Sequence, residues 1–220
     1  MRIDFHVHTE YSSDGYIKIK DIEEILAEKR IVDAIAITDH DEIDGALALK
    51  KIFKDNIIVG EEIDSGEGEI TGYWLKERIK PGQGIARTLE CIKGQEGIAC
   101  IPHPFDKLRS KRINSAVLDR FVKGINMIEV FNSRNIFEKA NTNARQFAEK
   151  NSLLGIAGSD AHYKTEIGNA YVDCAGLENV DRPEKVCDAI KNGKIKGKRC
   201  NILYHVKTKL LKIGITTKPR

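Results

Sequence analysis

Cysteine and aromatic residues are scarce in this chain of 220 residues, and both scarcities narrow its possible functions. The cysteines are dispersed and form no C-x-x-C pair, standing at positions 91, 100, 174, 187 and 200. An odd, scattered set indicates reduced thiols in a cytoplasmic protein rather than a disulfide framework. Aromatic residues make up 6% of the chain, without the runs of Phe or Tyr on which bases stack. This argues against a protein that reads nucleic-acid sequence.

Long apolar runs are also absent. No stretch approaches the roughly 18 apolar residues that a membrane-spanning helix needs, and the first residues show no apolar region typical of a signal peptide. Hydrophobic residues make up 41% of the chain and charged residues 31%, as in soluble globular proteins. We therefore expect a protein without a membrane partner, folded as a single domain over residues 1–220.

Acidic residues are missing from the last part of the chain. The basic C-terminal segment, residues 189–220, contains ten of the 36 Lys and Arg residues and none of the 33 Asp and Glu residues. The rest of the chain is therefore net acidic, although the whole carries +3. A basic segment can attract phosphate groups, nucleotides or nucleic acid. It can equally be a solvated edge strand followed by a frayed terminus.

Strand-like and helix-like segments alternate along the chain. The apolar spacing predicts strands at residues 2–8, 32–38, 56–63, 67–75, 98–101, 126–131, 153–157 and 170–174. It predicts helices at residues 20–30, 41–53, 83–96, 114–123, 135–150 and 183–192. Strand-like pieces are also expected within 196–215. Such alternation is typical of a parallel sheet with helices outside it.

Five of the six histidines lie beside Asp, Pro or another His. His6 and His8 form an H-x-H pair on the first predicted strand, where side chains two residues apart point to the same side. Two neutral imidazoles that project together can share one cation, so the pair is a candidate metal site. The alternative is two polar residues on a half-exposed strand. His205 lies in an unremarkable setting and is interpreted as structural.

Further candidate ligands follow the ends of separate predicted strands. They are His40, Glu61 or Glu62, His103, Asn132, and Asp160 with His162. The carboxyl ends of the strands in a parallel α/β barrel meet on one rim, where functional groups gather. One polar strand end has no special meaning, but so many together predict a common site.

Short motifs occur in the order and spacing of one known family: Asp4-x-His6-x-His8-Thr9, Thr38-Asp39-His40, Gly60-x-Glu62, His103-Pro104 and Ser159-Asp160-x-His162. Over residues 3–172 the chain thereby resembles the PHP (polymerase and histidinol phosphatase) family. The resemblance implies an α/β fold, a distorted (β/α)7 barrel of the PHP type. It also implies a site for two or three divalent metal ions and phosphoesterase activity.

Carried over to this chain, the resemblance implies three groups of metal ligands: His6, His8, Glu62 and Asp160; Glu62 again with His103; and Asp14, His40 and His162. Glu61 is the alternative to Glu62 as the bridging carboxylate. Asp14 can also be read as a turn residue before Gly15. Mixed His and carboxylate ligands suit Mn²⁺, Fe²⁺ or Zn²⁺, and the sequence does not choose among them.

Two positions depart from the family pattern. Glu69 stands where many members have His, although a carboxylate can still bind a hard ion such as Mn²⁺. After the predicted strand 126–131 some members use another His, whereas this chain has Asn132. Asn132, Glu129 or water can take that coordination position.

The expected reaction is hydrolysis of a phosphate monoester or diester by a metal-bridged hydroxide. The sequence shows no Ser–His or Cys–His nucleophile pattern that would offer another route. His40, Asp160 and His162 would take part directly in catalysis. The residues expected to bind substrate phosphate are Lys107, Arg109 and Arg134. An ordinary basic loop is the alternative for each of them.

Several partners and two other functions fit the same pattern. The expected substrate is a nucleotide, a short nucleic acid or a small phosphorylated molecule such as histidinol phosphate, and the basic segment slightly favours nucleotides or nucleic acid. One alternative function is a non-catalytic, metal-stabilised scaffold that binds nucleic acid through basic residues such as Lys207 and Lys209. The other is an amidohydrolase, because related barrels use similar ligands.

Overall fold

The computed structural model describes residues 1–28, 31–201, 203–204 and 208. Within them the strands are β1 (Arg2–Val7), β2 (Ala34–Ile37), β3 (Ile57–Asp64), β4 (Glu69–Tyr73), β5 (Ile98–Ile101), β6 (Met127–Asn132), β7 (Leu154–Gly158), β8 (Ala170–Asp173) and β9 (Lys194–Gly197). The helices are α1 (Ile19–Glu28), α2 (Asp44–Ile52), α3 (Ile85–Gly94), α4 (Ser115–Phe121), α5 (Glu138–Asn151) and α6 (Pro183–Lys191). Short 3-10 helices lie at Val122–Gly124 and Lys164–Glu166.

The strands of the described residues form one sheet in the order β7-β6-β5-β4-β3-β2-β1-β8-β9. The prediction of a parallel sheet was wrong for part of it, because β4 runs antiparallel to β3 and β5, and β8 runs antiparallel to β1 and β9. A parallel pair needs a crossover of about a dozen residues. Only Ser65–Gly68 joins β3 to β4, and in this turn Ser65 N and Oγ both donate to the Gly68 carbonyl, at 3.1 and 2.6 Å.

Strands β1 to β7 curve until the ends of this run meet. Val7 pairs in parallel with Ala161, just after β7. His8 N donates to the Ala161 carbonyl at 2.9 Å, and Ala161 N donates to the His6 carbonyl at 3.3 Å. Strands β8 and β9 continue the sheet beyond the start of β1. The result is a nearly closed barrel, so the predicted α/β fold with a distorted seven-stranded barrel is confirmed.

The strands of the barrel, β1 to β7, are largely buried on both faces, as strands in α/β proteins usually are, whereas β9 is mostly exposed. On β2, Ala34 and Ala36 belong to one apolar cluster, while Ile35 and Ile37 belong to another. The cluster of Ile35 and Ile37 also contains the buried faces of α1, α2 and α3. Because both faces are packed, the ends of the strands are where polar side chains can converge.

The last part of the chain differs from the strand-like pieces predicted within 196–215. β9 begins at Lys194, and Leu203, Tyr204 and Thr208 are helical. Several predicted features lie outside the described residues: the end of helix 20–30 at Lys29 and Arg30, His205, and the basic residues Lys207, Lys209, Lys212, Lys218 and Arg220. The single domain over 1–220 therefore stays a prediction. Among the described residues, none of the helices combines the length and apolar character that crossing a lipid bilayer requires.

Candidate metal centre

Asp4 fixes the course of the first strand beside the site. Its buried carboxylate accepts hydrogen bonds from the backbone N–H groups of His6 at 3.2 Å, Ser159 at 2.9 Å and Gly168 at 2.9 Å. Burial raises the pKa of Asp4 to about 6, although these donors oppose the shift. Asp4 thereby ties β1 to the chain that follows β7. The motif contains this residue, but sequence reasoning gave it no role.

His6, His8 and Asp160 form a first group of candidate ligands. The Nε2 atoms of His6 and His8 are 3.0 Å apart. Asp160 Oδ1 lies 3.8 Å from His6 Nε2 and 3.4 Å from His8 Nε2. All three side chains are buried, and their ligand atoms lie within 4.8 Å of one another. The structure thus brings together candidate ligands from the first and the last motifs of the chain.

Glu62 lies between the groups and contacts four imidazoles. Its Oε1 is 2.8 Å from His103 Nε2. Its Oε2 is 3.2 Å from His6 Nε2, 3.3 Å from His8 Nε2 and 3.4 Å from His40 Nδ1. Glu62 is fully buried, and with His6 and His103 it forms a second group whose ligand atoms lie within 4.8 Å. One carboxylate is therefore shared, as a bridging residue would be.

Glu61, the alternative bridge, lies apart from the other candidates. Because successive side chains of a strand point to opposite faces, only one of the two glutamates can enter the site. Glu61 Oε2 accepts a hydrogen bond from Ile79 N at 2.9 Å. Burial raises the pKa of Glu61 to about 7. The geometry therefore favours Glu62 as the shared carboxylate.

A further group comprises His8, Asp14, His40 and His162. Asp14 Oδ2 is 3.0 Å from His162 Nε2 and 3.6 Å from His40 Nε2. Asp14 reaches the site because its loop folds tightly against the end of β1. A Cβ atom at Gly15 would lie 2.0 Å from the Thr9 carbonyl oxygen, so only glycine fits there.

Glu69, at a departure from the family pattern, also lies at the centre. Its Oε1 is 3.8 Å from His40 Nδ1, and its Oε2 is 3.9 Å from His103 Nε2. It reaches the rim because β4 is antiparallel, so Glu69 at its beginning pairs with Asp64 at the end of β3. Burial and the charge of Glu62 raise the pKa of Glu69. Glu69 is thus an additional candidate ligand, grouped with His40 and Glu62.

Glu129 and Asn132 of β6 lie directly behind the candidate ligands. Glu129 Oε1 is 3.2 Å from His6 Nδ1, and Glu129 Oε2 accepts from His103 N at 2.8 Å. Asn132 Nδ2 donates to Glu129 Oε2 at 2.8 Å and to Asp160 Oδ2 at 3.1 Å. Such partners orient metal ligands. The signal for Glu129 in the sequence was a lone acidic residue within an apolar strand.

The backbone is left-handed at two candidate ligands. His103 has a φ of 29° and Asp160 a φ of 55°, values that residues other than glycine seldom adopt. Gly158 at the end of β7 is needed for a different reason, since its Cβ would lie 2.3 Å from His6 Cβ. Surrounding contacts hold these uncommon conformations, which often occur at functional sites.

Charges in the site strongly shift one another's pKa values. Burial would lower the pKa of His6, but Asp160 and Glu62 raise it well above its usual value. Burial would likewise raise the pKa of Glu62, whereas His6 and His40 hold it well below its usual range. Burial lowers the pKa of His162 to about 3, although Asp14 opposes the shift. A neutral imidazole is the form that binds a metal ion.

The basic residues predicted to bind substrate are placed differently from one another. Arg109 reaches the site, where Nη2 contacts Asp160 Oδ2 and Nε lies 3.4 Å from Asp106 Oδ2. Burial would lower the pKa of Arg109, but Asp160 and Glu62 raise it above its usual value. Lys107 is exposed on the same loop. Their contacts with substrate stay predictions.

Arg134 lies beside the site rather than among the candidate ligands. Its guanidinium is 3.5 Å from Glu166 Oε1, measured at Nε, and donates from Nη2 to Thr208 Oγ1 at 2.9 Å. Only 4% of the side chain is exposed. Glu166 and Thr208 had not been indicated by the sequence. A contact between Arg134 and substrate phosphate also stays a prediction.

Divalent ions fit this donor set. Each group mixes imidazole nitrogen with carboxylate oxygen, which suits Mn²⁺, Fe²⁺ and Zn²⁺. Asp160 Oδ1 is buried and has no hydrogen-bond partner within the described part of the chain, as expected for an oxygen that a cation would neutralise. The side chains available are therefore those that a metal-dependent hydrolase needs, while the number and identity of the ions stay predictions.

Two family models match the chain. The PHP domain matches residues 4–93, and the PHP-associated model matches residues 138–195. The first range contains His6, His8, Asp14, His40 and Glu62, and the second contains Asp160 and His162. His103 lies between the two ranges.

The chain is similar to several known proteins. The chain is 33% identical over 188 residues to the uncharacterized protein MJ0417 of Methanocaldococcus jannaschii, a match covering 84% of this chain and 74% of that protein. A solved two-domain protein of Bacteroides vulgatus, described as containing a predicted PHP-like metal-dependent phosphoesterase, has 17% identity and a TM-score of 0.66. The match covers 90% of this chain but only 65% of that one. An amidohydrolase from Chromobacterium violaceum, solved with bound sulfate and no metal, has 15% identity, a TM-score of 0.62, and coverages of 90% and 98%.

Proposed function

This chain belongs to the PHP family, and we propose that it is a metal-dependent phosphoesterase. The family and the side-chain groups support a metal-dependent hydrolase. The finer proposal is that it hydrolyses a phosphate monoester or diester. Its substrate would be a nucleotide, a short nucleic acid or a small phosphorylated molecule.

The observation that carries this proposal is the shared position of Glu62. Its two carboxylate oxygens face different imidazoles, with His103 on one side and His6, His8 and His40 on the other. Neighbouring groups joined by one carboxylate are suited to holding two ions close together. Bound ions would supply an activated water and positive charge for the oxygens of a phosphoryl group.

The exposed edge of the site indicates where substrate would enter. His40 is 12% exposed, more than the other candidate ligands. Arg109 is 22% exposed and reaches Asp160 from the loop that follows His103. We assign to Arg109 the recognition of a phosphate oxygen, because guanidinium groups bind phosphate with paired donors. His40, Asp160 and His162 would contact the reacting group from the buried side.

The loop after β5 supports a phosphorylated substrate rather than a neutral one. Lys107, Arg109, Lys111 and Arg112 all lie on it, close to the rim. Lys111 is neutralised by Asp64 at 2.8 Å, whereas Lys107 faces solvent. Positive charge at the entrance of an acidic site raises the local concentration of anionic substrates.

Amide hydrolysis is the second candidate function. It is favoured by the likeness in fold to the Chromobacterium violaceum amidohydrolase. The same ligand groups could serve C–N bond cleavage, since such chemistry also uses metal-activated water. A substrate panel that includes amides therefore belongs in the first test.

The test is metal-dependent turnover by purified protein loaded in turn with Mn²⁺, Fe²⁺ and Zn²⁺. The panel contains histidinol phosphate, nucleoside monophosphates, nucleoside 3′,5′-bisphosphates, a short 5′-phosphorylated RNA and simple amides. Asp160→Asn is the inactivating variant, because asparagine also tolerates the left-handed backbone at this position. Glu61→Gln is the matched control, because its carboxylate bonds to Ile79 N outside the site.

Phosphate release that needs metal and is lost in Asp160→Asn but kept in Glu61→Gln supports the proposal. Turnover of amides alone would replace it with the amidohydrolase. Binding of nucleic acid without turnover of any substrate would favour the non-catalytic scaffold.

A further inference from the structure

Arg134 and Glu166 form an ion pair that is almost completely removed from solvent. The side chain of Arg134 is 4% exposed and that of Glu166 is 0% exposed, with Nε 3.5 Å from Oε1. Burying two charges costs solvation free energy that the mutual attraction often fails to recover, so such pairs contribute little to net stability. A role beyond holding the fold together would account for the pair.

The other oxygen of Glu166 leads directly to the candidate metal centre. Glu166 Oε2 accepts hydrogen bonds from the backbone N–H groups of His162 and Tyr163, both at 3.1 Å. These bonds fix the start of the turn that carries the His162 imidazole. His162 Nε2 in turn lies 3.0 Å from Asp14 Oδ2. Arg134 therefore connects to the ligand group through one carboxylate and one backbone turn.

Thr208, in the C-terminal part of the chain, contacts Arg134 of the same ion pair. Arg134 Nη2 donates to Thr208 Oγ1 at 2.9 Å, and Thr208 Oγ1 donates to the Tyr204 carbonyl at 3.0 Å. The Tyr204 hydroxyl is 2.8 Å from Thr165 Oγ1, next to Glu166. Thr208 is only 7% exposed. Its hydroxyl thus accepts a hydrogen bond from the guanidinium in a buried setting.

Resting on the proposed function, we propose that Arg134 is a positioning residue for the group formed by His8, Asp14, His40 and His162. The charge of Arg134 attracts Glu166, without a hydrogen bond between Nε and Oε1. Glu166 fixes the backbone of His162, and Thr208 holds Arg134 in place. The role differs from a direct contact with substrate phosphate. Loss of a phosphate contact would raise KM and leave ion binding unchanged, whereas loss of positioning weakens the ion held by this group.

The test measures binding of Mn²⁺ alone, by titration calorimetry and by counting bound ions per chain, with kcat and KM determined in parallel. Arg134→Met removes the guanidinium, and Arg134→Lys keeps the charge. Thr208→Val keeps the shape and removes the hydroxyl. Arg145→Met is the matched control, because Arg145 is a 43% exposed arginine paired with Glu138 at 3.6 Å.

In Arg134→Met we expect one ion to bind about 10- to 100-fold more weakly, the usual effect of removing a residue that orients a ligand. Its kcat should fall more than its KM rises. Arg134→Lys should recover part of the affinity, Thr208→Val should show a smaller loss, and Arg145→Met should match the wild type. If Arg134→Met fails to fold, the double variant Arg134→Met/Glu166→Gln, which leaves no unpaired charge, takes its place.

Two results would overturn the inference in different ways. Wild-type protein that binds none of Mn²⁺, Fe²⁺ and Zn²⁺ in the same titration removes both this inference and the proposed function. Wild-type protein that binds Mn²⁺ and turns over substrate, beside an Arg134→Met variant with unchanged ion affinity, removes the inference alone. In that case a raised KM would assign Arg134 to substrate phosphate instead.

Discussion

The candidate metal ligands and the basic residues predicted to bind substrate belong to the same rim, yet they are arranged very differently. The ligands converge until one carboxylate, Glu62, contacts four imidazoles. Of the basic residues, Arg109 reaches Asp160, Arg134 is buried against Glu166, and Lys107 faces solvent. Shared location on a rim is therefore a weaker guide to function than attachment to a strand end.

The difference follows from how each side chain is held. His6 and Glu62 lie on strands, and Asp160 follows β7 within two residues, so short side chains are placed by the sheet itself. Arg109 and Lys107 have long side chains and lie on a loop. The position of their backbone therefore does not determine which partners the charged ends contact. Strand ends thus make the position of a short side chain predictable. Arg134 also follows a strand, β6, within two residues, but its long side chain turns to Glu166.

The strongest test of this comparison is Glu62→Gln beside Glu61→Gln. We expect Glu62→Gln to lower kcat/KM at least about a thousandfold, about 4 kcal/mol of transition-state stabilisation, and to release bound ions. The reason is that Glu62 contacts candidate ligands of more than one group. Glu61→Gln should retain ion binding and most activity, as measured by metal content and phosphate release. Equal losses in both variants would break the distinction drawn between the two glutamates.

Removal of metal should lower the stability of the protein, because the buried candidate ligands then lose the ions that hold them together. If ions are present at about 100 times their dissociation constant, binding adds about 2.7 kcal/mol to the free energy of unfolding. For a chain of this size that corresponds to a fall in Tm of roughly 5 to 11 °C on chelation. The fall in Tm is measured by thermal unfolding, monitored by circular dichroism, first with chelator and then after Mn²⁺ is restored. A Tm indifferent to metal would contradict the assignment of the groups as ion sites.

Arg109→Met tests the one predicted basic residue that reaches the ligands. We expect kcat/KM to fall by about tenfold, mainly through KM, because one charge-assisted phosphate contact is lost. Steady-state kinetics with the best substrate of the panel gives the values. A variant with unchanged kinetics would place Arg109 with the surface residues instead.

Lys107→Met should have the smallest effect, below about twofold in kcat/KM, because an exposed flexible charge contributes little to binding. The same kinetic assay checks it, beside Arg109→Met. A loss as large as that of Arg109→Met would show that the loop carries phosphate recognition as a whole. It would also remove the contrast between the two residues.

The strand-end pattern, together with the resemblance to the PHP family, was sufficient to expect the barrel and the convergence of His6, His8, His40, Glu62, His103, Asp160 and His162. Each of these lies within a few residues of a predicted strand end and within a motif that the chain shares with the family. The direction of β4 could have been inferred from the short turn after β3. It was missed because the alternation of strands and helices along the chain predicted a wholly parallel sheet. That error also hid the reason why Glu69 reaches the site.

The particular partner of each buried polar side chain was beyond such reasoning. Glu129 contacts His6 from 123 residues away, and Thr208 contacts Arg134 from 74 residues away. Neither pair has a local signal, because both depend on how separate parts of the sheet are brought together. The left-handed backbone of His103 and Asp160 was equally hidden, since their residue types do not require it.

The position of β1 has a consequence for how the protein folds during its synthesis on the ribosome. β1 is synthesised before the other strands of the sheet, yet Asp4 bonds to residues 155 and 164 positions later, and β1 pairs with β8. Contacts between such distant segments slow folding, and the edge of β1 must stay without its final neighbour while the intervening chain is synthesised. His6 and His8 therefore emerge long before Asp160 can join them. The ion-binding groups are expected to be completed only after Asp160 and His162 have been synthesised, and refolding from denaturant is expected to be slow.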